Sequence, residues 1–236
     1  MTSTELNFAI LVPLRIPSKP LLSFKNVSLA SMRPRDHRIR MNDGGGEFDT
    51  LEDILPADNA PQGQKLIMLI VGKRPALTSL GAGHYFQGTQ GAAFRENLRR
   101  YGIILAPKGE HEDDSLLDQL YGVTDFVKRP AGAGDEPADS EYEENTKRIM
   151  LLIKTHEPDI LLFLYKPPLL QLLKAKSVDS PIPKYGFNPD LEEILGARVF
   201  LCPLQGVGGV TKIEIEDAMT ELRDAVKEIR VRREML

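Results

Sequence analysis

The sequence predicts an α/β protein: a three-layer α/β/α arrangement around a central, mostly parallel four-stranded sheet. Three observations carry that expectation. Short apolar runs recur along the chain, helical periodicity fills the stretches between them, and each run closes on glycine, proline or a cation. Strands that are apolar along their whole length belong in a parallel sheet covered on both faces.

The first run is Leu66-Ile67-Met68-Leu69-Ile70-Val71, ending at Gly72. The second is Gly122-Val123-Thr124-Asp125-Phe126-Val127, the third Ile160-Leu161-Leu162-Phe163-Leu164-Tyr165. The fourth, Arg198-Val199-Phe200-Leu201-Cys202, stops at Pro203. None approaches the length of a bilayer-spanning helix, and no membrane association is expected.

Between them the helices announce their starts. Ser140-Glu141-Tyr142-Glu143 and Thr211-Lys212-Ile213-Glu214 both have the spacing of a capping box. Tyr142, Ile149, Leu152 and Ile153 share a face after the first. Ile215, Ala218, Leu222, Val226 and Ile229 form a stripe after the second. Phe94, Leu98 and Tyr101 mark a helix after a Gly-rich turn at Gly88 to Gly91, and Leu116, Leu117 and Leu120 a further short one.

Charge divides the chain of 236 residues unevenly. Residues 1–41 hold seven Lys or Arg against Glu5 and Asp36, a net +5 in a protein of −4, so the remainder carries −9. Residues 1–48 also contain Pro13, Pro17, Pro20 and Pro34, close near Gly44-Gly45-Gly46, and show no sustained period. They are read as a flexible basic extension, with residues 49–236 as the folded domain. An organelle transit peptide is the minor alternative for the extension. An intracellular location, in prokaryotic cytoplasm or a eukaryotic nucleus, is expected. The lone Cys202 excludes an internal disulfide.

In open α/β sheets ligands bind beyond the carboxyl ends of the strands. The loops there read Gly72-Lys73-Arg74-Pro75-Ala76, Lys128-Arg129-Pro130, Lys166-Pro167-Pro168 and Pro203-Leu204-Gln205-Gly206-Val207-Gly208-Gly209. Cations and glycines at all four ends suit an anionic ligand. His37, His84, His111 and His156 show no metal-ligand spacing, so no metal or cofactor is expected. No Gly-x-Ser-x-Gly elbow or Walker loop is present.

The order and wording of these segments resemble the uracil-DNA glycosylase superfamily, closest to its mismatch-specific uracil/thymine branch. The resemblance spans about residues 50–230. Leu69 to Ala76 looks like the strand that ends in the family's first motif, Gly-x-Asn-Pro-Gly. Ala82-Gly83-His84-Tyr85-Phe86, followed by Gly91-Ala92-Ala93-Phe94, resembles the segment that supplies an aromatic platform for a flipped base. Gly122 to Pro130 is similar to a Gly-Leu/Val-Thr-x-x-Val-x-Arg-Pro stretch. Tyr185-Gly186 and Gly196 to Pro203 resemble the approach to the last motif. Two departures stand out. The motif Asn that positions the attacking water falls on Arg74, and the last motif is replaced by Leu204-Gln205-Gly206-Val207-Gly208.

The resemblance implies a monomeric DNA glycosylase that hydrolyses the N-glycosidic bond of uracil or a related base in single-stranded or mismatched duplex DNA. Its implied catalytic group is Gly72, Arg74 and His84, with Gln87 as a further group for positioning water. Lys73, Pro75, Tyr85 and Phe86 would hold the base. Lys128, Arg129, Leu204, Gln205, Gly206, Val207, Gly208 and Gly209 would hold DNA. The other reading is a catalytically inactive protein of the same fold that binds DNA, a nucleobase or a protein partner.

Overall fold

The computed structural model describes residues 35–56, 65–105, 111–132, 134–176, 182–204 and 209–235. All belong to one unit, Pro34–Leu236. Its centre is a five-stranded sheet in the order β4-β3-β5-β7-β6. β3 (Met68–Gly72), β4 (Tyr121–Asp125), β5 (Ile160–Phe163) and β7 (Arg198–Leu201) run parallel, as the apolar runs predict. The fifth strand, β6 (Gly186–Phe187), pairs antiparallel with β7. Two residues are too few to leave a period in the sequence, and so the expected count of four strands becomes five.

Each parallel strand is apolar throughout because each of its faces meets a different core. Met68, Ile70, Tyr121, Val123, Ile160, Leu162 and Phe200 face one side. Leu69, Val71, Leu161, Phe163, Val199 and Leu201 face the other. Side chains alternate across a strand, so both sets of positions must be hydrophobic. The first side is covered by α2 (Thr89–Arg100), through Phe94 and Leu98, and by α6 (Lys212–Glu234). The predicted stripe on α6 is buried there, with Met219 and Ala225 added to it. The second side is covered by α3 (Asp139–His156) through Tyr142 and Ile149, and by α4 (Lys166–Ala175) through Leu169, Leu172 and Leu173. α1 (Leu77–Ala82) and the one-turn α5 (Glu192–Leu195) complete the helices of the described residues. None is long and apolar enough to cross a membrane.

The helix starts agree in part. Thr211 caps α6 as predicted, its Oγ1 accepting from the Glu214 N–H while the Glu214 carboxylate accepts from the Thr211 N–H. α3 begins earlier than expected, with Ala138 at the cap position. Ser140 lies inside the first turn, and Glu141 accepts from the Ala138 N–H at 2.9 Å. The Gly-rich turn ends sooner as well: α2 starts at Thr89, and Gly91 lies within it. The predicted short helix is a pair of 3-10 turns, Glu112–Ser115 and Leu117–Gln119.

Part of the predicted extension is folded. β1 (Arg38–Asn42) and β2 (Glu47–Leu51) form an antiparallel hairpin around Asp43-Gly44-Gly45-Gly46. Its glycines supply positive φ at Gly44 and Gly46. The Asn42 and Asp43 side chains accept from the Gly44 and Gly45 N–H groups. The hairpin escapes a search for hydrophobic alternation because each strand is only five residues long and mostly exposed, with Arg40 paired to Asp49 across it. Residues 1–34 lie outside the described residues.

Candidate active site

All four parallel strands contribute to a cleft of about 580 Å3 at their carboxyl ends. That volume falls within the range of small-molecule sites. β3 supplies Gly72 and the loop Lys73 to Ala76. β4 supplies Asp125, the exit from β5 supplies Leu164 and Tyr165, and the exit from β7 supplies Leu204. Tyr85, Phe86 and the first turns of α2 form one wall.

The floor is built around Asp125, which in the sequence is only a polar residue within the second apolar run. β3 and β4 pair in register so that Gly72 lies opposite Asp125. A Cβ at position 72 would lie 2.1 Å from Asp125 Oδ1, so glycine there makes room for the carboxyl. Asp125 is 5 % exposed, and its Oδ2 is buried without a hydrogen-bond partner among the described residues. Burial pushes its pKa up to about 7. Asp53 adds to the rise, and Lys128 and Arg148 oppose it. An isolated carboxylate is costly to desolvate, and here the cost is concentrated in one group at the base of a cleft.

The support beneath this carboxyl is fully bonded. Arg148 on α3 donates to Asp53 Oδ2, to Thr124 Oγ1 and to the Phe126 carbonyl. Lys128 Nζ donates to Asp53 Oδ1 at 2.8 Å and to the Leu51 carbonyl. Lys128 is therefore 5 % exposed and turned inward, a correction to its expected place on a DNA-binding surface. A lysine at a strand end can reach back under the sheet, and residue order does not reveal which way it turns.

Arg74 lines the cleft and is tethered at its rim. Nη2 donates to Glu141 Oε1 at 2.6 Å, and the side chain is 9 % exposed. Its Nε is buried without a partner among the described residues. Two residues of the lining, Arg74 and Asp125, thus carry a buried polar atom without a partner among the described residues, one a donor and the other a carboxyl oxygen. Lys73 stands 5.3 Å above the Tyr165 ring and pairs with Glu136 at 2.6 Å. Pro75 is buried in the lining, and its carbonyl accepts from the Ala131 N–H.

Phe86 and Tyr85 both line the cleft, in different ways. Tyr85 is 3 % exposed, and its hydroxyl donates to the Glu52 carbonyl at 2.8 Å. Phe86 is half-buried and packs edge-on against Phe94, with ring centroids 5.2 Å apart. Its φ of 61° is left-handed, a costly conformation for a bulky residue. A Cβ at Gly91 would lie 2.5 Å from the Phe86 Cα. This close approach lets α2 press the Phe86 backbone into place, and it explains a glycine within a helix.

Two expected water-positioning groups lie elsewhere. His84 is buried and bonded to Asp113, outside the cleft lining. Gln87, also outside the lining, donates its side-chain amide to the Tyr85 carbonyl. His84 follows the left-handed Gly83 that ends α1, and Gln87 follows the left-handed Phe86, so each turns away from its neighbour in sequence. Leu204 lines the cleft at 5 % exposure and is part of the core, so it is a wall and not the projecting DNA contact expected of it. Arg129 is half-exposed, stacked on Phe48 at 4.4 Å and paired with Asp43 at 2.6 Å. Gly209 has φ 80° and leads into the α6 cap. Gln205, Gly206, Val207 and Gly208 lie outside the described residues. Cys202 is buried, and burial pushes its thiol up to about 12, as fits inert packing.

Neither a scan against models of known protein families nor a search of curated proteins finds a match to this chain.

Proposed function

We propose that the cleft accepts a nucleobase swung out of DNA and that the protein hydrolyses its N-glycosidic bond, with uracil or a related base as the leaving group. The observation that carries this reading is the buried Asp125 carboxyl, with an unpartnered oxygen, on the floor of an aromatic-walled cleft. A stacked base must leave the helix to be attacked. Phe86 offers a ring face for it, and the Arg74 Nε offers a donor to a base carbonyl. That donor also stabilises the anion as the base departs. The guanidinium of Arg74 offers donors and no acceptor, so it does not serve as the base. Asp125, once ionised, orients a water and draws its proton as the water attacks the sugar carbon. Its pKa near 7 suits a general base at neutral pH. Asp125 takes over the role left vacant by the Arg74 substitution in the first motif.

A second reading, a base-binding protein without catalysis, is favoured by one observation. Among the described residues, the two cations that line the cleft are already paired, Lys73 with Glu136 and Arg74 with Glu141, and Arg129 beyond the lining is paired with Asp43. Little free positive charge is left here to hold a DNA backbone. One experiment separates the two readings. Purified protein meets labelled single-stranded and mismatched duplex oligonucleotides carrying uracil, and alkali then reveals excised sites. Excision lost in Asp125→Asn and weakened in Phe86→Ala supports the enzyme. No excision by folded protein that still binds uracil or deoxyuridine supports the binding module.

A further inference from the structure

A second buried polar cluster lies outside the cleft. His37 precedes β1, His84 follows α1, and Asp113 and Asp114 sit in the first 3-10 turn. Three distant stretches of chain therefore converge on one point. His37 Nε2 lies 3.1 Å from Asp114 Oδ1 and 3.9 Å from Asp113 Oδ2. His84 Nδ1 lies 3.2 Å from Asp113 Oδ2 and 4.0 Å from Asp114 Oδ1. One ligand atom from each of the four residues falls within 4.8 Å of all the others.

We propose that these four side chains form a structural zinc site. Zn2+ takes nitrogen and oxygen ligands at about 2.0–2.2 Å in tetrahedral geometry, which sets ligand atoms about 3.3–3.6 Å apart. The four cross-distances bracket that value. The surroundings are those of a metal's outer shell. His37 Nδ1 contacts Glu52 Oε1 at 3.3 Å, the carboxylate–histidine arrangement that aims the other ring nitrogen at a metal. The Tyr85 N–H donates to Asp113 Oδ2 at 2.6 Å and orients that carboxylate. His111 stacks on His84 with centroids 3.5 Å apart, fixing the ring plane.

Charge points the same way. Three carboxylates, Glu52, Asp113 and Asp114, surround His37. Glu52 has Arg35 at 2.7 Å. Asp113 and Asp114 remain, with Arg95 as a further charge acting on Asp113, and a cation bound between the two carboxylates is favoured there. Asp113 has no exposed side-chain surface, and His37 and His84 are 3 % and 4 % exposed. Asp114, 24 % exposed, forms the outer edge of the site, and four protein ligands complete the coordination as in structural zinc sites. It joins the segment entering the hairpin to the turn that presents Tyr85 and Phe86, and it stands independently of what the cleft binds.

The test is metal uptake by the full-length chain. Protein stripped with a chelator and dialysed is titrated with zinc sulfate and analysed for bound metal. One equivalent is expected, with a rise in melting temperature of roughly 5–10 °C at a hundredfold excess over Kd. Co2+ in its place is expected to give the visible absorption of a tetrahedral ion. His37→Ala and Asp113→Asn are expected to lose the equivalent, the thermal shift and the Co2+ spectrum. Should a variant fail to fold, His84→Gln and the wild-type Co2+ spectrum decide. Folded wild-type protein that takes up no zinc would overturn the proposal. So would uptake that persists unchanged in His37→Ala or His84→Gln, or an octahedral Co2+ spectrum.

Discussion

Two buried acidic sites in this molecule differ in what they leave unsatisfied. Asp113 is closed in by His84 and the Tyr85 N–H, with His37 beyond. Asp125 has one oxygen with no partner, on the floor of a cleft. Both carboxylates lie within a few residues of a strand or helical turn, and both are almost wholly buried. One is arranged to hold structure. The other is held in a state that only a ligand, a water or a proton relieves, and such groups are candidates for functional sites.

Substitution at these two acids breaks the comparison most sharply. If Asp125 is the base, Asp125→Asn or Asp125→Ala should lower uracil excision by roughly 10²–10⁴-fold, read as the single-turnover rate on an oligonucleotide. The wild-type rate should climb as pH rises through about 7 and then level off, because ionisation creates the base. A flat profile would remove Asp125 from the mechanism.

Stability should respond in opposite directions. Asp113→Asn leaves a buried histidine cluster short of a carboxylate, and a loss of about 3–5 kcal/mol is expected from denaturant unfolding. Asp125→Asn should instead stabilise the protein near neutral pH. The folded-state pKa is raised, so the contribution of Asp125 is most favourable below about pH 4 and is lost as pH rises through about 7. Removing the charge should gain a few kcal/mol at about pH 8 and almost nothing at about pH 4. Equal effects at both pH values would contradict the burial argument.

A smaller effect tests the cleft wall. Gly91→Ala forces a methyl against the Phe86 backbone and should cost about 1–3 kcal/mol. It should also weaken binding of a nucleobase, measured by calorimetry. The smallest effect belongs to the exposed hairpin, where Arg40→Ala removes an exposed pair with Asp49. A change under about 1 kcal/mol in thermal unfolding is expected.

Much of the scaffold was legible. Continuous apolar runs named the four parallel strands because both faces of each are buried. The Thr211 cap and the α6 stripe were equally plain, since a cap and a face of one helix are local features. The cleft was located by the rule for strand ends, and Gly72, Lys73, Arg74, Pro75, Tyr85 and Phe86 do line it. His84, Lys128 and Leu204 were misplaced because a residue's number does not reveal which way its side chain turns at a strand end or after a left-handed residue.

What the sequence determined by itself is the layering: a period of two or of 3.6, a cap, and a glycine at a strand end are all written within a few residues. What only the tertiary structure decided is which polar groups meet. Asp125 lies 53 positions from Gly72 in the chain and directly opposite it in the sheet. His37, His84 and Asp113 meet across three separate segments and so show no metal-ligand spacing. The state of a buried charge depends on the solvent it has lost and the partners it has found. Both are properties of the folded surroundings, and neither is recorded in the order of the residues.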